Sequence, residues 1–403
     1  MQANEIDVYD LDTYVKGIPH DLFRRLRAED PVHFNPEPGG PGFWAVTKYA
    51  DVVMISKEPK TFSSSRGATN IWDLSKEHLS IVQNFIVNMD PPQHNKFRRL
   101  VSGGFTPRMI ARLEPFIREA ALRSIDRVAH MKECNFVREV AAELPLIVIA
   151  DLLGVPQEDR HKVFDWSNRL IGFDDPEFQT SFEDGVIAAS ELWAYANSLA
   201  EIRKRTPGDD LVGVLLTAEV DGERLTEMEF DQFFLMLAVA GNETTRNAIS
   251  GGLLALMEHP EQRRKLLANP ALLPSAIEEM FRWVTPVNHF RRTATRDVEL
   301  RGKQIREGDK VVMFYPSANH DEDAFSNPDA FDVTRQPNDH LSFGVGQHFC
   351  LGASLARLEL KVLFEELLKR LPNIELAGNV RRLRSNFING YKEIPIRLNA
   401  SNA

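Results

Sequence analysis

One cysteine stands in a glycine-rich loop late in the chain, and its setting favours metal binding. Residues 343–352 read Phe-Gly-Val-Gly-Gln-His-Phe-Cys-Leu-Gly, directly before a helical pattern that begins near Ala353. The three glycines let the backbone turn tightly and approach a large planar ligand closely. Backbone N–H groups at the start of the following helix favour a thiolate over a thiol. A single, shielded thiolate at Cys350 is therefore suited to the iron of a haem.

Two other interpretations of this loop remain open on its residues alone. A free cysteine after a turn is usually a buried structural residue. His348 and Cys350 also carry donor atoms for zinc, although no second cysteine–histidine cluster has metal-ligand spacing. The other cysteine, Cys134, falls between two predicted helices, and we expect a bystander thiol there. These two cysteines provide no disulfide framework, which fits a reducing compartment.

A second stretch places polar residues inside an apolar helical pattern. Thr226 and Glu229 have the spacing of a capping box and open the longest predicted helix. Within it, residues 240–247 read Ala-Gly-Asn-Glu-Thr-Thr-Arg-Asn. Buried polar side chains cost free energy unless they find a partner or a function. The small Ala240 and Gly241 leave room, and a threonine hydroxyl can bond a carbonyl of the preceding turn. We predict a widened groove that can hold dioxygen, or else a kink stabilised by local hydrogen bonds.

Two charged pairs have helical spacing. His94 and Arg98 follow the helix-start signal at Asp90 and lie four residues apart, so they share one helix face. Glu279 and Arg282 are three apart and are also neighbours on a helix. On these residues alone, the first pair is a solvated basic face and the second an ordinary surface pair.

Taken together, these stretches resemble the motifs of the cytochrome P450 superfamily, the haem-thiolate monooxygenases. The cysteine loop matches every fixed position of the pattern Phe-Gly-x-Gly-x-His/Arg-x-Cys-x-Gly, and residues 240–247 match Ala-Gly-x-Asp/Glu-Thr-Thr. The resemblance implies that Cys350 binds the iron of haem b, which is iron protoporphyrin IX. It also implies that Thr244 is the hydroxyl on the oxygen-binding side and Glu243 the acid behind it. The cofactor contacts that it implies are His94, Arg98, Arg291, Phe343, Gly344, His348, Cys350 and Gly352.

The resemblance also implies a structural network on the cysteine side of the haem. Glu279 and Arg282 match the family's Glu-x-x-Arg, and Arg335 stands where the family has the arginine that completes the triad. We expect this buried network to hold the core together and to take no part in the chemistry.

The resemblance spans essentially the whole chain and implies the cytochrome P450 fold. That fold is mainly α-helical with small β-sheets, a single domain over residues 1–403, and a haem between the long central helix and the cysteine loop. The sequence pattern predicts helices over 107–130, 137–153, 157–172, 180–206 and 353–370, strand pairs at 293–301 and 309–315, and a hairpin over 386–396. The helices over 157–172 and 180–206 resemble the family's lid, with Trp166, Leu170, Phe173 and Phe178 either beneath it or in ordinary packing.

Charge and hydropathy exclude several classes of function. The net charge of 48 − 58 = −10 argues against a general nucleic-acid binder. The first seven residues are polar and acidic and resemble neither a signal peptide nor an anchor helix. The apolar run over 233–241 is too short to span a bilayer. We therefore expect a cytoplasmic protein without a membrane anchor, similar to the soluble bacterial members of the superfamily.

The implied reaction inserts one oxygen atom from dioxygen into a C–H bond of a hydrophobic substrate. Glu243 and Thr244 would relay protons to the oxygen side of the haem. Two other functions remain open, a peroxide-driven peroxygenase and a non-catalytic haem-based sensor. The intact pair of Glu243 and Thr244 argues against both, because neither needs proton delivery to reduced dioxygen.

The electrons are expected from separate proteins, a ferredoxin and its reductase. Only about fifty residues follow Cys350, which is too few for a flavin, nicotinamide or iron–sulfur module. An acidic ferredoxin would need a basic docking face. The residues predicted to form that face are Lys96, Arg99, Arg108, Arg112 and Lys361.

The predicted substrate pocket is almost entirely apolar. Its residues are Phe85, Val87, Met236, Val239, Ala240, Val287, Phe387 and Ile388. Such a lining suits a hydrophobic molecule placed mainly by shape, although Asn288 and His289 can add a polar contact. The chain also resembles actinobacterial members that oxidise sterol side chains and branched fatty-acid or terpenoid chains. We therefore expect a steroid, a terpenoid or a fatty-acid-like chain as substrate.

Overall fold

Helices make up most of the computed structural model, which describes residues 7–171, 175–177, 181–206, 208 and 210–398. The α-helices are α1 (Leu11–Val15), α2 (His20–Glu29), α3 (Tyr49–Lys57), α4 (Lys76–Val82), α5 (Gln93–Ser102), α6 (Pro107–Ala129), α7 (Glu143–Leu152), α8 (Arg160–Ile171), α9 (Phe182–Arg205), α10 (Leu211–Thr217), α11 (Glu227–Glu258), α12 (Pro260–Ala268), α13 (Leu273–Val284), α14 (Tyr315–Ala318) and α15 (Ala353–Arg370). The strands are β1 (Val32–Asn35), β2 (Phe43–Val46), β3 (Phe62–Ser63), β4 (Glu133–Asn135), β5 (His289–Ala294), β6 (Val298–Leu300), β7 (Lys303–Ile305), β8 (Lys310–Phe314), β9 (Ile374–Leu376), β10 (Arg381–Arg382), β11 (Tyr391–Glu393) and β12 (Pro395–Leu398). The predicted mainly helical architecture with small sheets is confirmed.

The central element is α11, and its sequence explains both its start and its burial. The Thr226 hydroxyl accepts a hydrogen bond from the Glu229 N–H, and the Glu229 carboxylate accepts one from the Thr226 N–H, so the capping box is complete. Helices α7, α9, α13 and α15 pack around α11. Close packing needs glycine here, because a methyl group at Gly251 would lie 2.7 Å from a Val284 side-chain carbon. The helix therefore forms the wall against which the other helices assemble.

The largest sheet has the strand order β1-β2-β8-β5-β3. Strands β2 and β8 are parallel, and the other neighbours are antiparallel. In the β5–β8 pair, Arg291 lies opposite Val312 and Thr293 opposite Lys310. Because side chains alternate along a strand, Arg291, Thr293 and Lys310 share one face, while Arg292 lies on the other.

Several strand predictions are wrong in detail. Residues 293–301 and 309–315 do not form one simple pair, because β5 starts earlier and β6 pairs with β7. The predicted hairpin over 386–396 is replaced by a β10–β11 pair, after which β12 joins β4 and β9. Cys134 lies between α6 and α7, as expected, in the short strand β4. The pairs of β12 with β4 and β9 join distant parts of the chain, which local periodicity does not report.

The predicted lid lies partly within the described residues. Trp166 is nearly buried and donates its indole N–H to Glu191 at 2.8 Å, and Leu170 packs against the main core. Phe173 and Phe178 lie outside the described residues. Among the helices described, none combines the length and the hydropathy needed to cross a bilayer.

Candidate active site

The cysteine loop brings Cys350 to the start of α15. Gly344 and Gly346 adopt φ values of 68° and 77°, which glycine tolerates without steric cost. A methyl group at Gly346 would also lie 2.9 Å from the Ser56 carbonyl oxygen, so the loop needs glycine at this approach to α3. The Cys350 N–H donates to the Phe343 carbonyl at 2.9 Å, which closes the loop. Cys350 keeps an accessible surface although it is surrounded by protein on most sides.

Opposing effects act on the pKa of the Cys350 thiol. Desolvation by the surrounding protein raises the pKa of the thiol, and this outweighs the backbone N–H of Gly352 and the nearby Arg98 and Arg357. The helix start alone therefore does not create a thiolate here. A bound metal cation would supply the missing stabilisation, because a coordinating thiol is deprotonated by the metal.

Four basic side chains converge beside the cysteine loop. The rings of His94 and His348 lie 4.3 Å apart, and the Nε2 atom of His94 is buried without a hydrogen-bond partner among the described residues. Burial, with Arg292, His94 and Arg98 nearby, lowers the pKa of His348 to about 2. Burial also lowers the pKa of Arg98 and of Arg292.

This basic cluster has the character of a binding site for carboxylates. Arg292 is 4% exposed, and its guanidinium donates a hydrogen bond to the Arg291 carbonyl at 2.9 Å. The nearby carboxylate, Asp90, is engaged by the Ser63 and Ser65 hydroxyls and by the Ser64 N–H. The donor set therefore fits the two propionates of a haem whose iron is bound by the neighbouring cysteine.

One face of α11 is accessible in the middle of an otherwise buried helix. Met236, Val239, Ala240 and Thr244 lie on one side of the helix and retain exposure, whereas most of their neighbours are buried. The Thr244 hydroxyl donates to the Ala240 carbonyl at 2.8 Å, as a threonine in this position was expected to do. The helix is continuous from Glu227 to Glu258.

Glu243 lies beside this accessible face but is buried in the protein. It is 2% exposed, and its Oε2 atom accepts a hydrogen bond from Arg246 at 2.5 Å. Its Oε1 atom has no hydrogen-bond partner among the described residues. Burial raises the pKa of Glu243, whereas Arg246 and Asn247 oppose this change. The carboxyl group can therefore exchange a proton more easily than an exposed glutamate at neutral pH.

The remaining predicted pocket residues come from two regions. Val287 forms a bridge with Ile388, and the Asn288 N–H donates to the Phe387 carbonyl at 2.8 Å, so these residues are neighbours. Ile388 is only 4% exposed and therefore offers little surface to a ligand. Phe85 and Val87 pack on the same core cluster as Met236 and Val239, although the two pairs are distant in sequence.

The polar residues near the pocket are buried and neutral. His289 is fully buried, and burial lowers its pKa to about 3. Asn288 is also fully buried, so neither side chain presents a charge to a substrate.

Comparison with known proteins identifies the family. The cytochrome P450 family model matches residues 148–376. A steroid C26-monooxygenase of Rhodococcus jostii is 45% identical over 400 residues, which cover 97% of this chain and 84% of the relative. The chain belongs to the cytochrome P450 family. It is accordingly a haem-thiolate monooxygenase.

Two further similarities agree with this assignment. A methyl-branched lipid omega-hydroxylase of Mycobacterium tuberculosis is 42% identical over 407 residues, which cover 98% of this chain and 94% of the relative. The structure of a Mycobacterium marinum cytochrome P450 in complex with pseudoionone superimposes with a TM-score of 0.90 at 40% identity. That similarity covers 98% of this chain and 99% of the other.

The prediction that Arg291 contacts the haem needs correction. Its guanidinium donates to Asp73 at 2.7 Å and to the Ile71 carbonyl at 3.2 Å, on the sheet face away from Arg292. Arg292 faces the basic cluster, as its effect on His348 shows. The physical reason is strand alternation, which sends adjacent side chains to opposite faces. The sequence carried no signal that separates Arg291 from Arg292, because the pairing of β5 with β8 sets which of them faces the basic cluster.

The triad around Glu279 is present and buried. Arg282 donates two hydrogen bonds to the Glu279 carboxylate, each at 2.8 Å, and Arg335 donates a third at 3.0 Å. Arg282 also donates to the carbonyls of Asn319 and Pro328. The network joins α13 to the segment before the cysteine loop.

The predicted basic docking face is largely neutralised in the structure. Lys96 forms an ion pair with Glu223, Arg99 with Asp221 at 3.0 Å, and Lys361 lies 3.7 Å from Glu365. Asp221 and Glu223 were not foreseen as partners, because they approach α5 from a distant loop. Within the described part of the chain, Arg108 and Arg112 have no acidic partner.

Proposed function

We propose that this cytochrome P450 hydroxylates a hydrophobic chain, with a steroid side chain, a terpenoid or a methyl-branched lipid as its substrate. The observation that carries this proposal is the apolar, accessible face of α11 formed by Met236, Val239 and Ala240. A surface of this kind binds by shape and by removal of apolar area from water. Relatives named steroid C26-monooxygenase and methyl-branched lipid omega-hydroxylase support the same substrate class.

The cofactor in this proposal is haem b. When bound, it supplies the activation of dioxygen that no side chain provides. Cys350 would hold the iron, while Arg98, Arg292, His94 and His348 would bind the propionates. Phe343, Gly344 and Gly352 would shape the loop that carries the cysteine. One domain over residues 1–403 would contain all of these groups.

Glu243 and Thr244 are proposed to deliver protons to the oxygen side. The Thr244 hydroxyl is anchored through its donor bond to Ala240, so its oxygen remains able to accept another hydrogen bond. Glu243 keeps one oxygen without a partner and has a raised pKa, so it can take up and release a proton. Arg246 would hold the carboxyl group in place between these events.

Monooxygenases of this family need redox partners, and we propose a ferredoxin with its reductase for this one. Arg108 and Arg112 support an acidic partner. The pairs formed by Lys96 and Arg99 are exposed and can be exchanged for carboxylates of a partner at little cost. A cytoplasmic location is proposed with these partners, and the two free cysteines are compatible with it.

A ligand titration tests the substrate proposal. Testosterone, pseudoionone, phytanic acid and 4-hydroxybenzoate would each be titrated while the haem absorption spectrum is recorded. We expect spectral shifts and hydroxylated products from at least one of the first three, and none from 4-hydroxybenzoate. The proposal is wrong if only the small polar aromatic compound binds and is oxidised.

A turnover assay tests the electron source. Spinach ferredoxin and its reductase should support turnover with reduced nicotinamide, and activity should fall as ionic strength rises. Full activity with reduced nicotinamide and no added protein would exclude separate partners. Turnover with hydrogen peroxide alone, at the rate of the complete system, would favour the peroxygenase instead.

A further inference from the structure

The segment between β3 and α5 is anchored on the large sheet by a buried ion network. Asp73 receives a hydrogen bond from Arg291 at 2.7 Å and lies 2.9 Å from the Lys310 ammonium. Lys310 also donates to Glu37 at 2.6 Å. Two cations and two carboxylates therefore alternate, and the network is balanced in charge.

The members of the network on and beside the sheet are buried, whereas Asp73 on the segment is half exposed. The side chains of Arg291, Lys310 and Glu37 are 4%, 2% and 3% exposed, whereas that of Asp73 is 53% exposed. Burial raises the pKa of Asp73, but the hydrogen bonds from Lys310 and Arg291 outweigh it and lower the pKa overall. Asp73 is thus an ionised side chain that reaches from a loop to buried cations of the sheet.

Backbone contacts reinforce this anchor. The Arg291 N–H donates to the Thr69 carbonyl at 3.0 Å, and the buried Ile71 packs in the apolar cluster that contains Phe43. Gly67 lies so close to the arginine that a methyl group there would be 2.6 Å from the guanidinium carbon of Arg291. The loop has no room for a side chain at that point.

A second carboxylate, Asp90, joins the two ends of the same segment by hydrogen bonds. Asp90 accepts hydrogen bonds from the Ser65 hydroxyl at 2.8 Å and from the Ser64 N–H at 2.8 Å. Between Asp73 and Asp90 lie α4 and the residues Phe85 and Val87, which pack on the core cluster shared with the accessible face of α11. The two anchors at Asp73 and Asp90 restrict the positions that the side chains of Phe85 and Val87 can take.

We propose that Asp73 is a positioning residue for the substrate, acting through Arg291 and Lys310. It holds the segment over the pocket in the position that brings Phe85 and Val87 against a bound hydrophobic chain. This inference rests on the proposed place of those two residues in the substrate pocket. It also gives Arg291 a role that is separate from the haem.

Two variants that weaken the anchor by different means test this role. Asp73→Asn removes the charge and keeps the shape, whereas Gly67→Ala keeps all charges and pushes the loop away from Arg291. Asp51→Asn is the matched control. Asp51 lies on α3, outside this segment, and is a mostly buried carboxylate that is paired with Arg301. Asp73→Glu retains the charge and should recover binding in part.

Two ligands keep the inference distinct from the substrate proposal. Econazole is an imidazole that binds the iron of haem-thiolate proteins, so its dissociation constant reports access to the pocket whatever the natural substrate is. Pseudoionone reports the hydrophobic chain itself. If the wild type binds econazole but none of the chain-like compounds, the substrate proposal fails while the role of Asp73 is still measured.

The expected result is a loss of affinity without a loss of haem. Asp73→Asn and Gly67→Ala should each raise the dissociation constant of econazole by about tenfold, and Asp51→Asn should leave it within about twofold of the wild type. Haem content and the absorption band of the reduced carbon-monoxide complex should be unchanged in all variants. If Asp73→Asn does not retain haem, Gly67→Ala and Asp73→Glu still give the comparison. The inference is overturned if Asp73→Asn and Gly67→Ala bind both ligands with the affinity of the wild type, whatever their thermal stability.

Discussion

The adjacent residues Arg291 and Arg292 allow a sharp test of how the haem is held. The structure places Arg292 in the basic cluster and Arg291 on the other face of β5, paired with Asp73. Replacing each arginine with methionine keeps much of the side-chain volume and removes the charge. We expect Arg292→Met to weaken haem binding and Arg291→Met to weaken the fold.

The magnitudes follow from the contacts of each side chain. A hydrogen bond to a charged group contributes about 1.5–3 kcal/mol, so losing the contact of Arg292 with a propionate should weaken haem binding by about 10- to 150-fold. The haem-free Arg292→Met protein should be no less stable than the wild type, because a buried cation has been removed. In Arg291→Met, Asp73 loses one of its two cations but keeps Lys310 and is half exposed to solvent, so the loss of this charged hydrogen bond should cost about 1–2 kcal/mol of stability.

The two effects are measured separately. Haem dissociation is followed by transfer of haem to an excess of apomyoglobin, at a temperature well below the melting temperature of every variant. Stability of the haem-free proteins is followed by thermal unfolding. The assignment is refuted if Arg291→Met releases haem faster than the wild type while Arg292→Met releases it at the wild-type rate.

Three further predictions concern buried carboxylates and their neighbours. Thr244→Ala and Glu243→Gln should keep haem and substrate binding but lower the product formed per reduced nicotinamide consumed, and full coupling in both would mean that protons arrive by another route. Glu279→Gln leaves Arg282 without its carboxylate in the core and should cost about 3–5 kcal/mol, so little haem-containing protein should be recovered on expression. Burial raises the pKa of Glu359 well above its ordinary value of 4.5. The contribution of Glu359 to the free energy of unfolding is therefore fully present below pH 4.5. It is lost as the pH rises toward the pKa of the folded state, at about 1.4 kcal/mol per pH unit. Glu359→Gln should flatten this dependence in urea unfolding at pH 5, 6 and 7, and an unchanged slope would contradict the assignment.

Features set by neighbours in sequence were predictable. The capping box of Thr226 and Glu229 and the bond from Thr244 to the Ala240 carbonyl join residues three or four apart. The turns at Gly344 and Gly346 depend on the freedom of glycine at positive φ, which the residue type alone indicates. The family, the helical fold and the monooxygenase activity could likewise be read from motifs that keep their order along the chain.

Features that depend on distant partners were not predictable. Lys96 and Arg99 form a basic pair in the sequence, yet Glu223 and Asp221 neutralise them from another loop. The expected thiolate at Cys350 depended on the helix start, whereas desolvation by the folded chain raises its pKa. In both cases the electrostatic environment is set by groups that come close only when the chain folds.

The sequence by itself determined which residues can do the chemistry, and the tertiary structure decided which of them meet. The proposed roles of Cys350 and of the pair Glu243–Thr244 rest on residue type and short spacing, for which the local backbone is enough. The choice between Arg291 and Arg292 was decided only by the register of β5 against β8. A shift of one residue along a strand turns a side chain to the opposite face, and that register is set by long-range pairing and burial.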